Sequence, residues 1–274
     1  MIRLDRVTYR YPGASRAALR DVDLTLADGE VVGLMGANDA GKSTLCLVVA
    51  GLAPRVVGGA LSGSVLLDGS DAGPMPMHEV ATHVAAAFQD PETQRSGIAG
   101  TVYEEVAFGP SNLGVPLSEV VERTESALDA LAIAELAHRH PGHLSGGQQQ
   151  LVAMAGLLAM RPRHVVLDEP TARLDARGIL LVADAVTRLA AAGVAVLMAE
   201  HRSDLVQATC SRVLVLDSGT VAIDGASRDV LADERLAGLG VAAPAQIRLS
   251  GKASGVGVPI PPEAVAAATL HGAW

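Results

Sequence analysis

Short β-type runs, VTYRY, VDLTL, VVGLMG and SVLLDG, alternate with turn pairs such as Asp28-Gly29 and Asp68-Gly69 over the first ~70 residues, a pattern that predicts antiparallel strands. From Lys42 the run KSTLCLVVAGL reads as a helix, and a stretch rich in Pro and Gly from Ala53 to Gly63 leads to the next strand. The strand VAAAF ends at Phe88, because Asp90-Pro91 forces the chain out of extended structure and opens a second lobe. Between Gly100 and Pro141 the apolar spacing is helical, notably in SEVVERTESALDALAIAEL with Ser118 as its expected N-cap. The run QQLVAMAGLLAM is apolar nearly all round, which predicts a buried helix that ends before Pro162. HVVLD, VAVLMA and RVLVLD then alternate with the helical ARGILLVADAVTRLAAAG and RSDLVQA, as parallel strands of an α/β core do. Periodicity fades in the last ~35 residues. The expected organisation is one domain over 1–240, with a helical subdomain at about 92–145, and a loosely packed tail over 241–274.

Composition narrows the classes. With 274 residues, 49% of them apolar, the chain can bury a substantial core, and no internal repeat is visible. A formal net charge of -9 argues against a nucleic-acid partner, which needs clustered Lys and Arg. No run approaches the ~18 to 20 apolar residues that span a bilayer, and MIRLDRVTYRYPG lacks the apolar centre of a signal peptide, so the chain is expected in the cytoplasm. Cys46 and Cys210 are too few for a disulfide framework and are expected as core thiols.

Three segments carry candidate chemistry. In GANDAGKST, which runs through Gly36, Ala37, Asn38, Asp39, Ala40, Gly41, Lys42, Ser43 and Thr44, the glycines let successive backbone N–H groups and a helix N-terminus face phosphates. Lys42 adds a point charge there, and the Ser43 hydroxyl can coordinate Mg²⁺. In HVVLDE, Asp168 ends an apolar strand, where a carboxylate is costly unless it meets a metal or its water shell, and Glu169 can polarise an attacking water. In Leu144-Ser145-Gly146-Gly147-Gln148 a serine-capped diglycine helix start offers a hydroxyl and exposed backbone donors to an anion. His138, His140 and His143 invite a metal reading, but Pro141 disrupts any helical ligand face, which favours a solvated loop.

Together these segments resemble the ATP-binding cassette (ABC) ATPases, over essentially residues 1 to 240. The resemblance implies an α/β fold: a P-loop NTPase (RecA-like) core with an N-terminal antiparallel β subdomain and a small α-helical subdomain. It implies ATP and Mg²⁺ as ligands, with Mg²⁺ held through Ser43, Gln89 and Asp168. It assigns Glu169, His201 and Gln89 to catalysis: Glu169 polarises water, His201 contacts the γ-phosphate, and Gln89 lies on a switch loop that senses metal and water. Tyr11 becomes the aromatic on which adenine stacks, a contact that contributes ~1 to 3 kcal/mol. Ser145, Gly146, Gly147 and Gln148 are presented to ATP held by a second ABC ATPase subunit, and Asp175 lies on the loop Ala172-Arg173-Leu174-Asp175 that crosses the dimer interface.

FQDPETQ followed by TVYEEVAFGPSNLG, the ALSG before SVLLDG, and EHR around His201 are similar to the energy-coupling factor (ECF) branch, whose members import metal ions or vitamins. That branch implies a transmembrane coupling protein, a separate substrate-binding membrane subunit, and a place on the cytoplasmic face of the membrane. Two positions depart from the pattern: Asp39 stands where the family usually has glycine, and Leu151 where arginine is common. Asp tolerates a left-handed backbone, but at ~5 Å from a phosphate and an effective dielectric of ~20 its charge costs about 3 kcal/mol before Lys42 and Mg²⁺ offset it. A non-hydrolysing regulatory subunit is therefore the alternative; retention of Lys42, Ser43, Asp168, Glu169 and His201 favours an active ATPase.

Overall fold

The computed structural model describes residues 1–247. Strands β1 (Ile2–Arg10) and β2 (Leu19–Leu26) pair antiparallel, as their alternating pattern predicts. In β1 the buried side chains are Ile2 and Leu4, then Val7 and Tyr9. This change of parity comes from a bulge between Leu4 and Val7, where Arg6 takes φ 46°. One extra residue shifts the period-two pattern by one position and keeps both halves of the strand facing the core.

The next run corrects the sequence reading. VVGLMG forms β3 (Val31–Met35), which lies outside the antiparallel set and takes a central place in a parallel sheet. All five of its residues are buried, as a strand covered on both faces requires, whereas the alternation of β1 suits a strand with one wet face. Helix α1 (Lys42–Val49) leaves the loop after β3. β4 (Ala60–Leu67) and β5 (Ser70–Asp71) then complete a four-stranded sheet of order β2-β1-β4-β5.

Helix α2 (Met77–His83) and strand β6 (Val84–Ala87) lead into the helical lobe of α3 (Val102–Asn112) and α4 (Leu117–Ala130). A capping box fixes the start of α3: Thr101 Oγ1 accepts from Glu104 N at 3.2 Å, and Thr101 N donates to Glu104 Oε2 at 3.0 Å. α4 differs from expectation. Pro116 is its N-cap and Ser118 lies inside the first turn, because the carbonyl of Pro116 already accepts from Glu119 N and Val120 N.

Helix α5 (Gly146–Ala159) returns to the core, followed by β7 (His164–Asp168), α6 (Ala176–Ala191), β8 (Ala195–Ala199), α7 (Ser203–Thr209), β9 (Arg212–Asp217), β10 (Thr220–Ala226) and α8 (Ser227–Leu231). The six-stranded sheet has the order β10-β9-β3-β8-β7-β6, parallel except for the edge strand β10. Successive residues of this sheet enter two cores. Met35, Val165, Leu167 and Met198 pack with the helical lobe, whereas Leu34, Val166, Leu197 and Leu214 pack with the antiparallel sheet and α1. Continuous apolar runs thereby join both layers to one platform whose strand ends carry the functional loops.

Charge ties the layers at one corner. The Asp68 carboxylate accepts from the Met1 amine (2.7 Å) and engages His164 Nε2 (2.9 Å) and His83 Nδ1 (3.0 Å). Both cysteines are buried free thiols, as predicted, and burial pushes the Cys210 thiol up to about 12. Val241 and Ala245 pack against the core, and Ala245 N donates to Asp204 Oδ1 at 2.9 Å. The remainder of the predicted tail, 248–274, lies outside the described residues. Among the described residues no helix is long and apolar enough to cross a membrane.

Candidate active site

The loop from β3 to α1 curls because Gly36 takes φ 143°, Asp39 φ 61° and Gly41 φ 106°. A Cβ on Gly36 would lie 2.4 Å from the Leu216 carbonyl oxygen, so only glycine fits there. Asp39 adopts the left-handed backbone anticipated for it. Lys42 is buried and bridges the loop, donating from Nζ to the carbonyls of Gly36 (3.0 Å) and Ala37 (2.8 Å). Burial lowers the pKa of its ammonium, opposed by the charges of Glu169, Asp168 and Asp39. Ala40 turns inward, and its carbonyl accepts from Gly219 N at 2.9 Å, which anchors the loop to the turn after β9.

Around this loop lies an open cavity of about 890 Å³. Asn38, Asp39, Lys42, Ser43 and Thr44 form its floor, and Tyr11, Gln89, Glu169 and His201 reach it from four other segments. Tyr11 is held at the rim by a 3.1 Å hydrogen bond between its hydroxyl and Thr44 Oγ1 and by an edge-to-face contact with Tyr9 (centroids 5.0 Å apart). Glu169 takes φ 51°, its N–H donates to the Ala199 carbonyl at 2.9 Å, and its Oε1 meets His201 Nε2 at 2.9 Å. Asp168, at the end of β7, is 5% exposed, and its Oδ1 has no hydrogen-bond partner. Burial raises its pKa, opposed first by a hydrogen bond from Ser43. A buried carboxylate with an unsatisfied oxygen beside a hydroxyl suits a hard divalent cation, so these residues fit Mg²⁺.

The second predicted constellation lies elsewhere. Ser145, Gly147, Gln148 and Asp175 line a cleft of about 500 Å³ that shares no lining residue with the first cavity. Ser145 caps α5 reciprocally: its Oγ accepts from Gln148 N at 3.3 Å, and its N–H donates to Gln148 Oε1 at 3.1 Å. A side chain on Gly147 would meet the Arg173 carbonyl oxygen at 3.0 Å, and one on Gly146 would touch the Arg173 side chain. Asp175 caps α6, its Oδ1 accepting from Gly178 N at 2.8 Å.

One positioning residue was missed in the sequence. Glu200 is buried at the end of β8 and accepts from the Thr171 hydroxyl (2.5 Å) and from the backbone N–H groups of His201 (2.8 Å) and Arg202 (3.1 Å). It clamps the histidine loop to the segment after Glu169. The available signal was an acid directly before His201, at the end of an apolar strand.

Residues 19–172 match the profile of the ABC transporter family. The chain belongs to the ABC transporter family. The energy-coupling factor transporter ATP-binding protein EcfA of Methanosarcina acetivorans is 37% identical to this cassette over 95% of the chain and 92% of the relative. Two longer relatives, from Methanosarcina mazei and Methanosarcina acetivorans, are described as candidate ABC transporter ATP-binding proteins; they are 40% and 41% identical, and this chain spans only 42% and 40% of their lengths. Among solved structures, cbiO1 of Clostridium perfringens, part of the ABC transporter complex cbiONQ, matches with a TM-score of 0.73 and 29% identity, covering 86% of this chain and 92% of that one. A dimeric post-hydrolysis state of the cassette MJ0796, bound to ADP and Pi, matches with a TM-score of 0.72 and 25% identity, covering 83% and 99%. The fold is that of a P-loop NTPase cassette.

Proposed function

We propose that this cassette is the ATP-hydrolysing subunit of an energy-coupling factor importer, acting as a pair of cassettes beneath a transmembrane coupling protein. The reading is carried by the Glu169–His201 contact of 2.9 Å beside a phosphate loop whose lysine is already bound across its backbone. The backbone N–H groups of residues 36–44 and Lys42 bind the phosphates of ATP, and the Tyr11 ring receives the adenine. Ser43, Asp168 and Gln89 would hold Mg²⁺, which when bound would neutralise charge developing on the phosphates. Glu169 accepts a proton from water as the water oxygen bonds to the γ-phosphorus and the β–γ bridge breaks, leaving ADP and phosphate. His201 orients Glu169, and Glu200 holds His201 in place.

Because Ser145, Gly147, Gln148 and Asp175 line a different cleft, they serve, together with Gly146 of the same helix start, ATP bound by a second cassette, and a two-fold pair completes both sites at once. The assignment to the ECF branch is supported by EcfA and cbiO1 among the similar proteins and by FQDPETQ at the boundary of the lobes. There Gln94 bonds both backbone groups of Phe88 at 3.0 Å, while Thr93 is exposed. This hinge, with Pro91, Arg95, Glu105 and Leu144 around a small cavity of about 20 Å³, is the docking place for a helix of the coupling protein at the cytoplasmic face of the membrane. A substrate-binding membrane subunit selects the cargo, a metal ion or vitamin-like molecule.

The deciding experiment is phosphate release by the chain alone and with its membrane partner, together with cysteine crosslinking from Thr93. Capture of the coupling protein and stimulated release support the importer. A chain that binds ATP yet releases no phosphate in either setting is the non-hydrolysing regulatory subunit that Asp39 suggests.

A further inference from the structure

Two tyrosines meet at the rim of the first cavity, and they differ in freedom. Tyr9 is fully buried, and its hydroxyl donates to the Gly58 carbonyl at 2.6 Å. The backbone closes over it at Gly59, where a Cβ would come within 2.9 Å of that hydroxyl. Tyr11, directly after β1, lines the cavity. Its ring meets the Tyr9 ring edge to face, at an interplanar angle of 79°, and its hydroxyl shares a 3.1 Å hydrogen bond with Thr44 Oγ1 in the first turn of α1. An immobile neighbour thus holds the ring on one side, and the phosphate loop holds it at its far end.

Thr44 is buried, and its hydroxyl makes no other hydrogen bond among the described residues. Adjacent hydroxyls of the loop therefore part, as side chains about 100° apart around a helix do. That of Ser43 turns to Asp168, on the side that suits a cation, whereas that of Thr44 turns to Tyr11. We propose that Thr44 is a positioning residue for the nucleotide base, fixing the Tyr11 ring before ATP arrives, so that the base seat and the phosphate seat form one preorganised unit. The proposal rests on the stacking of adenine on Tyr11 given above and adds what orients that ring. A loose aromatic side chain must be immobilised as the base settles on it, which weakens binding by roughly threefold or more, and a ring already held avoids that loss. A phenylalanine at position 11 would offer the same π-face without the tie.

The test is a double-mutant cycle on the full chain, read as dissociation constants for ATP and for tripolyphosphate, a probe that has no base. Tyr11→Phe keeps the ring and removes the tie, and Thr44→Val removes it from the other end with little change of shape. Each should bind ATP about threefold more weakly, and the double variant should be no weaker than the weaker single, because either change alone breaks the same bond. Thr44→Ser, which keeps the hydroxyl, should stay close to the parent. Tyr11→Phe should leave tripolyphosphate affinity unmoved. Unaltered ATP affinity in Tyr11→Phe, losses that multiply in the double variant, or a Thr44→Ser variant as weak as Thr44→Val each overturn the pair, while the base seat stands on the separate effect of Tyr11→Ala. A Tyr11→Phe loss that is equal for ATP and tripolyphosphate also overturns it, since the hydroxyl would then serve the phosphates. ATP affinity that survives Tyr11→Ala overturns the base seat and the pair together.

Discussion

The phosphate-loop cavity and the signature cleft start from the same device, a glycine-relieved turn that opens a helix, and end with opposite abilities. In the first, the turn before α1 is surrounded by Lys42, Asp168, Glu169 and His201, groups that bind charge and move protons. In the second, the turn before α5 is self-capped by Ser145 and Gln148 and flanked by Arg173 and Asp175. On the function proposed above, one cleft contains the chemistry without closure, and the other supplies closure without chemistry. The difference follows from the platform: strands β3, β7 and β8 deliver their ends side by side to the first cavity, whereas α5 and α6 begin at a cleft that shares no lining residue with it. Mutations should therefore separate hydrolysis from association.

The largest effect is expected from Glu169→Gln, which keeps shape but removes the base. Hydrolysis should fall by ~10² or more while ATP-driven association survives. Near-normal phosphate release from the variant would sink the assignment of Glu169. The mirror experiment is Ser145→Ala in the second cleft. ATP binding by the separate chain should be unchanged, whereas dimerisation and hydrolysis should drop about tenfold, part of this through loss of a cap worth ~1 kcal/mol. If the separate chain also loses ATP affinity, the two clefts are not independent. Tyr11→Ala probes the first cavity away from its chemistry, and ATP affinity should weaken about tenfold with turnover at saturation preserved. Unaltered affinity would mean that adenine lies elsewhere.

A control outside both clefts is Asp68→Asn. Burial alone would raise the Asp68 pKa, but hydrogen bonds from the Met1 amine, His83 and His164 hold it well below the usual carboxylate range. The His164 pKa is also lowered, because burial outweighs its bond to Asp68. Both groups bind fewer protons folded than unfolded, so each contributes stability that is lost on acidification: His164 as pH falls below about 6.5 and Asp68 as pH falls below about 4. Asp68→Asn should cost about 1 to 2 kcal/mol at pH 7 and flatten the lower limb. Urea denaturation across pH 3 to 8 checks this, and ATP affinity at pH 7 should not move.

What the sequence alone determined was local. The phosphate loop, the ends of β7 and β8 and the caps of α5 and α6 are short-range geometry, written in Gly36, Gly41, Asp168, Ser145 and Asp175 within a few residues of where they act. The tertiary structure decided what depends on distant neighbours. β3 joined the parallel sheet because burial on both faces, which an apolar run permits, is realised only when β8 and β9 arrive beside it. Ser118 lost the cap of α4 to Pro116 by backbone geometry that composition does not rank. Glu200 became a clamp because the Thr171 hydroxyl and the His201 loop converge on it from separate segments. The division of the site into two clefts likewise follows from chain packing, since spacing along a sequence does not state on which side of a sheet or lobe a loop emerges.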